Sequence, residues 1–133
     1  MRTAPGVDLV IQPWHGADAA WSALVDGTSD IAVSVFPPAE DDLHREELLS
    51  EHYVVAMRVG HPAASAFDLE SWLSYPHVLV SGRGDTRTPL DAELAHRGLT
   101  RRVGLVVPNF QMVPTLLAGS DMIAMLPSRV LPT

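Results

Sequence analysis

His77-Val78-Leu79-Val80-Ser81-Gly82, followed six residues later by Thr88-Pro89-Leu90-Asp91, is the stretch whose reading decides the fold. Its first four residues form a continuous apolar run, the pattern of a strand buried on both faces. Thr88 is suited to cap a helix, Pro89 fits the first helical position, and Asp91 complements the positive helix end. Leu90 and Leu94 then share an inner face, and Gly98 stands where a left-handed residue stops the helix. Arg101 to Val107 predicts the next strand and Met122 to Leu126 a last one, ended by Pro127. Between them a helix is expected from Asn109 to Gly119, its start left open because Pro114 would remove a backbone bond if the first turn began at Phe110.

The same plan occurs upstream. Val7 to Gln12 reads as a buried strand, and Ala17 to Asp26 as a helix with Ala17, Trp21, Leu24 and Val25 on one face, stopped by Gly27. Asp30 to Phe36, with Ile31, Val33 and Val35 alternating, predicts a further strand. Pro37-Pro38 and Glu40-Asp41-Asp42 predict a solvated turn, Tyr53 to Met57 a central strand ended by Gly60-His61-Pro62, and Asp68 to Leu73 a short helix carrying Trp72. Strands alternating with helices imply largely parallel pairing, because parallel strands need crossover connections. The expectation is an α/β fold of two lobes, residues 1–76 and 77–133, with a cleft between them.

Composition narrows the function. The chain has 133 residues, 47 % of them apolar and 19 % charged, a globular balance without the roughly 20 continuous apolar residues of a membrane span. Met1 to Gly6 has no export pattern, so a cytoplasmic location is expected. Cysteine is absent, which removes disulfides, thiolate metal sites and cysteine nucleophiles. All nine basic residues are arginine; without lysine there is neither a P-loop lysine nor a Schiff base. Sixteen acidic residues give a net charge of −7, which repels a phosphate backbone, so DNA binding by this chain alone is not expected.

Four segments carry a resemblance. They are Asp26-Gly27-Thr28-Ser29-Asp30-Ile31-Ala32; Glu47 to Glu51 with Val54-Val55 and Gly60-His61-Pro62-Ala63; Pro108-Asn109-Phe110 with Leu116 to Gly119; and Ile123-Ala124-Met125-Leu126-Pro127. In this order and spacing they resemble the effector-binding (substrate-binding) domain of LysR-type transcriptional regulators, and Arg101-Arg102-Val103 with Ser120-Asp121-Met122-Ile123-Ala124 resembles the branch of nodulation and aromatic-degradation regulators. The resemblance implies a two-lobed, periplasmic-binding-protein-like (type 2) fold, incomplete at both ends, and a sensor of a small organic effector, anionic or aromatic. It also implies that DNA is reached through a winged helix-turn-helix domain absent from this chain. With sheet partners missing from the first lobe, exposed strand edges and homo-oligomers are expected.

In open α/β sheets ligands sit beyond the carboxyl ends of parallel strands. That rule selects Ser34 and Phe36, Ser81 and Gly82, and Asn109 with Phe110. Hydroxyls and an amide can donate and accept, which suits a carboxylate or hydroxyl on a ligand. The resemblance supports Asn109 as pocket-lining, while a helix cap is the competing reading, and Ser34 and Ser81 have ordinary strand-end roles as theirs. Ser81-Gly82-Arg83-Gly84-Asp85 places a cation in a flexible loop, which suits an anion or nothing at all.

Other chemistry finds little support. His15, His44, His52, His61, His77 and His96 are scattered, with no i, i+4 pair, so neither a metal nor another cofactor is expected. His61 fits a His-Pro turn. Glu46, Glu47 and Glu51 read as a solvated face rather than an acid/base pair. Trp21, in helical register, belongs to a core, and no nucleophile elbow, dinucleotide turn or Walker pattern occurs, so an enzyme is not expected. The competing readings are a solute-binding protein of a transporter, which secretion would favour, and an interaction fragment that pairs with a full-length regulator.

Overall fold

The computed structural model describes residues 4–36 and 43–130. The expected turn at Pro37-Pro38 and Glu40 to Asp42 lies outside them. The chain divides into two compact units, 1–38 and 39–133.

Among its described residues the smaller unit contains one helix, α1 (Ala17–Val25). Its end is built as the sequence predicts: Gly27 adopts φ 71°, and the amides of Asp26 and Thr28 return to Ser22 and Ala23 carbonyls at 2.8 and 2.9 Å. Trp21, half-buried, meets Phe36 edge-on at 6.1 Å between ring centroids. The expected strands at Val7–Gln12 and Asp30–Phe36 do not form. Alternation reports a face that gains from burial, but a strand also needs a hydrogen-bonded neighbour, and among the described residues neither segment has one. Ile11 and Val35 are each 92 % exposed in consequence.

The larger unit holds the rest: β1 (Tyr53–Ala56), α2 (Leu69–Leu73), β2 (His77–Val80), α3 (Pro89–His96), β3 (Val103–Val107), α4 (Val113–Ala118) and β4 (Ile123–Pro127). Single 3-10 turns lie at Pro62–Ser65, Phe110–Met112 and Ser128–Val130. The sheet order is β1-β4-β2-β3. β2 runs parallel to both β3 and β4, whereas β1 pairs antiparallel with β4, from Tyr53 opposite Pro127 to Ala56 opposite Ala124. The strand expected at the centre of a sheet is therefore an edge strand. Its apolar composition suits either position, and only the long-range pairing with β4 fixes it.

Alternation along β4 sorts two cores onto opposite faces. Ala124 and Leu126 pack with Val78, Val107, Val113 and Leu117 under α4, while Ile123 joins Trp72 and Leu94 under α2 and α3. Ile123, Leu126 and Val113 are fully buried, each worth roughly 1.5–3 kcal/mol of transfer free energy. Helices thus cover both faces, as βαβ crossovers require. Leu90 packs beside Leu94 as expected. The open question at Pro114 resolves by a change of helix type: a 3-10 turn occupies Phe110–Met112, and α4 begins at Val113 with the proline in its first turn, where a missing amide costs nothing.

Side chains lock the helix starts. Asp68 and Ser71 exchange bonds of 2.8 and 2.9 Å at α2. At α3 the Asp91 carboxylate accepts from the Thr88 amide at 2.7 Å and its hydroxyl at 2.9 Å. The same carboxylate holds Arg101 in a two-pronged pair at 2.8 and 2.9 Å, which fastens the start of α3 to the chain entering β3.

Candidate functional site

The parallel strands β2 and β3 end side by side. Val80 is opposite Val107, and the Ser81 amide donates to the Val107 carbonyl at 2.9 Å, carrying the ladder one residue past β2. Ser81 and Gly82 on one chain and Asn109 and Phe110 on the other therefore leave the same end of the sheet, the end where open α/β sheets bind ligands. Asn109 is exposed and extended, with φ −149° and ψ 157°. It sits at the cap position, but its side chain makes no capping bond to the turn that follows, so the competing role as a helix cap is not the one it fills. Phe110 is half-buried against the core under α4, which anchors the loop from below.

The loop after Ser81 is held by its own polar groups. The Ser81 hydroxyl donates to Asp85 Oδ2 at 2.9 Å and accepts from the Asp85 and Arg83 amides at 3.0 and 3.3 Å. Arg83 Nε donates to the same Oδ2 at 3.2 Å. Gly84, at φ 77°, makes the turn that brings residue 85 back. The Ser81 hydroxyl, followed by the Arg83 guanidinium, holds the Asp85 carboxyl below the usual carboxylate range. Asp85 was legible in the sequence only as a neighbour of Arg83; a serine four residues before an aspartate across two glycines is the signal for this closed turn.

Ser34 and Phe36 belong to the smaller unit, where Ser34 is exposed on a segment without strand pairing and Phe36 packs on Trp21. Elsewhere, Leu69, Glu70, Leu73, Ser74 and Leu99 line an open groove of about 540 Å³ that shares no residue with the strand-end set.

The remaining polar residues do structural work. His61 Nδ1 accepts from the Ala63 amide at 3.0 Å, and Nε2 faces the Asp121 carbonyl at 3.1 Å, so this histidine ties the His-Pro turn as expected. His77 is fully buried; its Nε2 donates to the Trp72 carbonyl at 2.9 Å, and burial pushes its pKa down. Glu51 binds the Ser128 hydroxyl at 2.5 Å and the Arg129 amide at 3.2 Å, joining the chain before β1 to the chain after β4. The Ser128 bond draws its pKa down to about 2, the behaviour of a fixed anion rather than a proton carrier. No three His, Asp or Glu side chains among the described residues converge on a metal position.

With this geometry in place, comparison with known proteins is decisive: residues 1–133 match the family described as the LysR substrate binding domain. The chain belongs to the LysR substrate-binding domain family. Among its relatives, the transcriptional activator NahR of Pseudomonas putida is 34 % identical over 109 residues, which cover 81 % of this chain and 36 % of NahR. Nodulation protein D 2 of Rhizobium tropici is 32 % identical over 133 residues, covering 97 % of this chain and 41 % of the relative. This LysR domain thus spans well under half the length of these two curated relatives. Among solved structures, the probable transcriptional regulator PA0477 of Pseudomonas aeruginosa superposes with a TM-score of 0.57 at 27 % identity, over 68 % of this chain and 32 % of that one. The effector-binding domain of a BenM variant gives 0.61 over 99 % of this chain and 64 % of that one; at 18 % identity it speaks for the fold alone. The α/β, type 2 periplasmic-binding-protein-like architecture expected from the sequence is the one these LysR domains share. The curated relatives are described as transcriptional activators and nodulation proteins, and this chain matches the part of them that the LysR substrate binding domain occupies.

Proposed function

We propose that this LysR domain senses a small anionic organic effector for a transcriptional regulator, and that the effector docks at the shared end of β2 and β3 on Ser81, Gly82, Asn109 and Phe110. The observation that carries the reading is the Ser81 amide bond to the Val107 carbonyl at 2.9 Å, which sets two parallel strand ends, one with a hydroxyl and one with an uncommitted amide side chain, next to each other. Ser34 and Phe36, selected by the same strand-end rule in the smaller unit, are proposed as effector contacts of that unit by itself. The lobe division, 1–76 and 77–133, is part of this proposal, with β1 and α2 as the elements of the first stretch that pack with the second.

Binding changes transcription only if the effector prefers one arrangement of the domain over another. In this reading DNA contact belongs to a separate helix-turn-helix domain, the protein is cytoplasmic and assembles as a homo-oligomer, and no catalysis occurs. Among the described residues no helix is long and apolar enough to cross a membrane. The test is a thermal-shift screen of the chain against small aromatic and aliphatic carboxylates, followed by titration, because a ligand selective for the folded state raises its apparent stability. A saturable rise that weakens in Asn109→Ala and Ser81→Ala is expected. A rise of equal size in both variants would remove the strand-end assignment.

A further inference from the structure

Ser81 is the residue best placed to receive a ligand, and its hydroxyl is already engaged. Its proton goes to Asp85 Oδ2, and its oxygen takes two loop amides. The guanidinium two residues on, which would reinforce anion binding, is turned to the same Asp85 oxygen at 3.2 Å. One carboxylate therefore sits on a hydroxyl donor and a guanidinium donor at a parallel strand end, the contacts a carboxylate ligand would make. We infer that the Ser81–Asp85 loop is a carboxylate receptor occupied by its own side chain, and that a carboxylate effector binds by displacing Asp85 from Ser81 and Arg83. The inference rests on the effector-site reading above and specifies how that site is gated.

Three physical points support exchange rather than simple addition. An ionised ligand placed beside an undisplaced Asp85 would set two carboxylates against each other, which disfavours both charges. The pair is exposed enough to open, with Arg83 and Asp85 side chains 54 and 44 % accessible, so releasing it requires no core rearrangement. Asp85 is tethered four residues from Ser81, and a group on so short a linker competes at an effective concentration on the order of millimolar. A free carboxylate must bind well enough to overcome that competitor, whereas a neutral ligand gains nothing at this position. The loop thus selects for charge and sets a threshold concentration.

The experiment uses the full chain and two probes, phenylacetate and butyrate, titrated calorimetrically into wild type, Asp85→Ala, Asp85→Asn and Ser81→Ala. Removing an exposed ion-pair partner is worth up to about fivefold, so both Asp85 variants are expected to bind phenylacetate about two- to fivefold more tightly than wild type. Ser81→Ala is expected to bind less tightly than wild type. Asp85→Asn keeps the side-chain shape and carries the test if the alanine variant does not melt cooperatively. A second readout follows the Asp85 carboxyl by carbon NMR: phenylacetate should return its pKa toward the ordinary value of an aspartate as it is released. If wild type binds, loses affinity in Ser81→Ala, and gains nothing in either Asp85 variant, self-occupancy is overturned while the effector site stands. If neither probe binds any cooperatively folded variant, both the inference and the carboxylate-effector reading fall.

Discussion

Replacing Asp91 by alanine should do more damage than any other single charge change at a helix start, because of what it leaves behind. The Arg101 side chain is 4 % exposed and Asp91 16 %, so the guanidinium is buried and its partner partly so, and the two meet through bonds at 2.8 and 2.9 Å. Asp91 also satisfies the Thr88 amide at the first turn of α3. Its removal strands a cation that already lies 5.9 Å from the Trp72 ring centroid, and an uncompensated buried charge costs about 3–5 kcal/mol. In a unit of this size that corresponds to a fall in Tm on the order of 12–40 °C. The pair's contribution also depends on pH. The Arg101 guanidinium holds the Asp91 carboxyl far below the ordinary value of 3.8, so the stability it contributes is complete above pH 4 and drains away as pH falls below that value. Urea unfolding at pH 7 measures the loss directly. Asp91→Leu combined with Arg101→Met should recover most of it, since a buried pair is replaceable by apolar groups of similar volume. A loss below about 1 kcal/mol for Asp91→Ala at pH 7 would mean the pair behaves as a surface pair and would refute the reasoning.

Two further substitutions probe the sheet. Gly104→Ala in β3 would set a methyl 2.9 Å from Pro76 Cβ, so a loss of about 1–3 kcal/mol is expected in urea melts, and an unchanged midpoint would show that the β2–β3 contact yields freely. His77 is buried neutral, with a folded pKa below its ordinary 6.5, so the unfolded chain takes up a proton near pH 6.5 that the folded chain refuses. Stability therefore declines as pH falls below 6.5 and continues to decline until the folded pKa is reached. His77→Phe should flatten the stability slope between pH 7.5 and 5.5, and a slope equal to wild type would place the acid sensitivity elsewhere.

The elements legible in the sequence are those whose signals are local. Pro89 and Asp91 start α3, Gly98 at φ 69° ends it, and the apolar runs of β2 and β4 are buried as their composition demands. Val7–Gln12 is an apolar run of the same kind and Asp30–Phe36 alternates clearly, and yet neither forms a strand. Alternation specifies which side chains should be covered, and it is silent about whether a neighbouring strand exists to cover them. The position of β1 failed for the same reason: Tyr53 is 59 % exposed on an edge that pairing with Met125 and Pro127 defines, more than 70 residues downstream. Long-range pairing is the information a single sequence withholds.

The candidate site divides along that same line. Ser81 and Asn109 could be chosen because strand ends are local features and the binding rule for parallel sheets needs nothing more. What Ser81 is doing there could not be chosen, since it depends on Gly84 taking φ 77° and returning Asp85 to the hydroxyl. The polar groups that make a strand end fit for a ligand are also within reach of one another when no ligand is bound. A loop carrying both a donor pair and an acceptor therefore closes on itself unless a better acceptor arrives. On that argument self-occupancy follows from the chemistry of an anion site left open to solvent, and the Asp85 variants separate a loop that closes for stability alone from one that opens for a ligand.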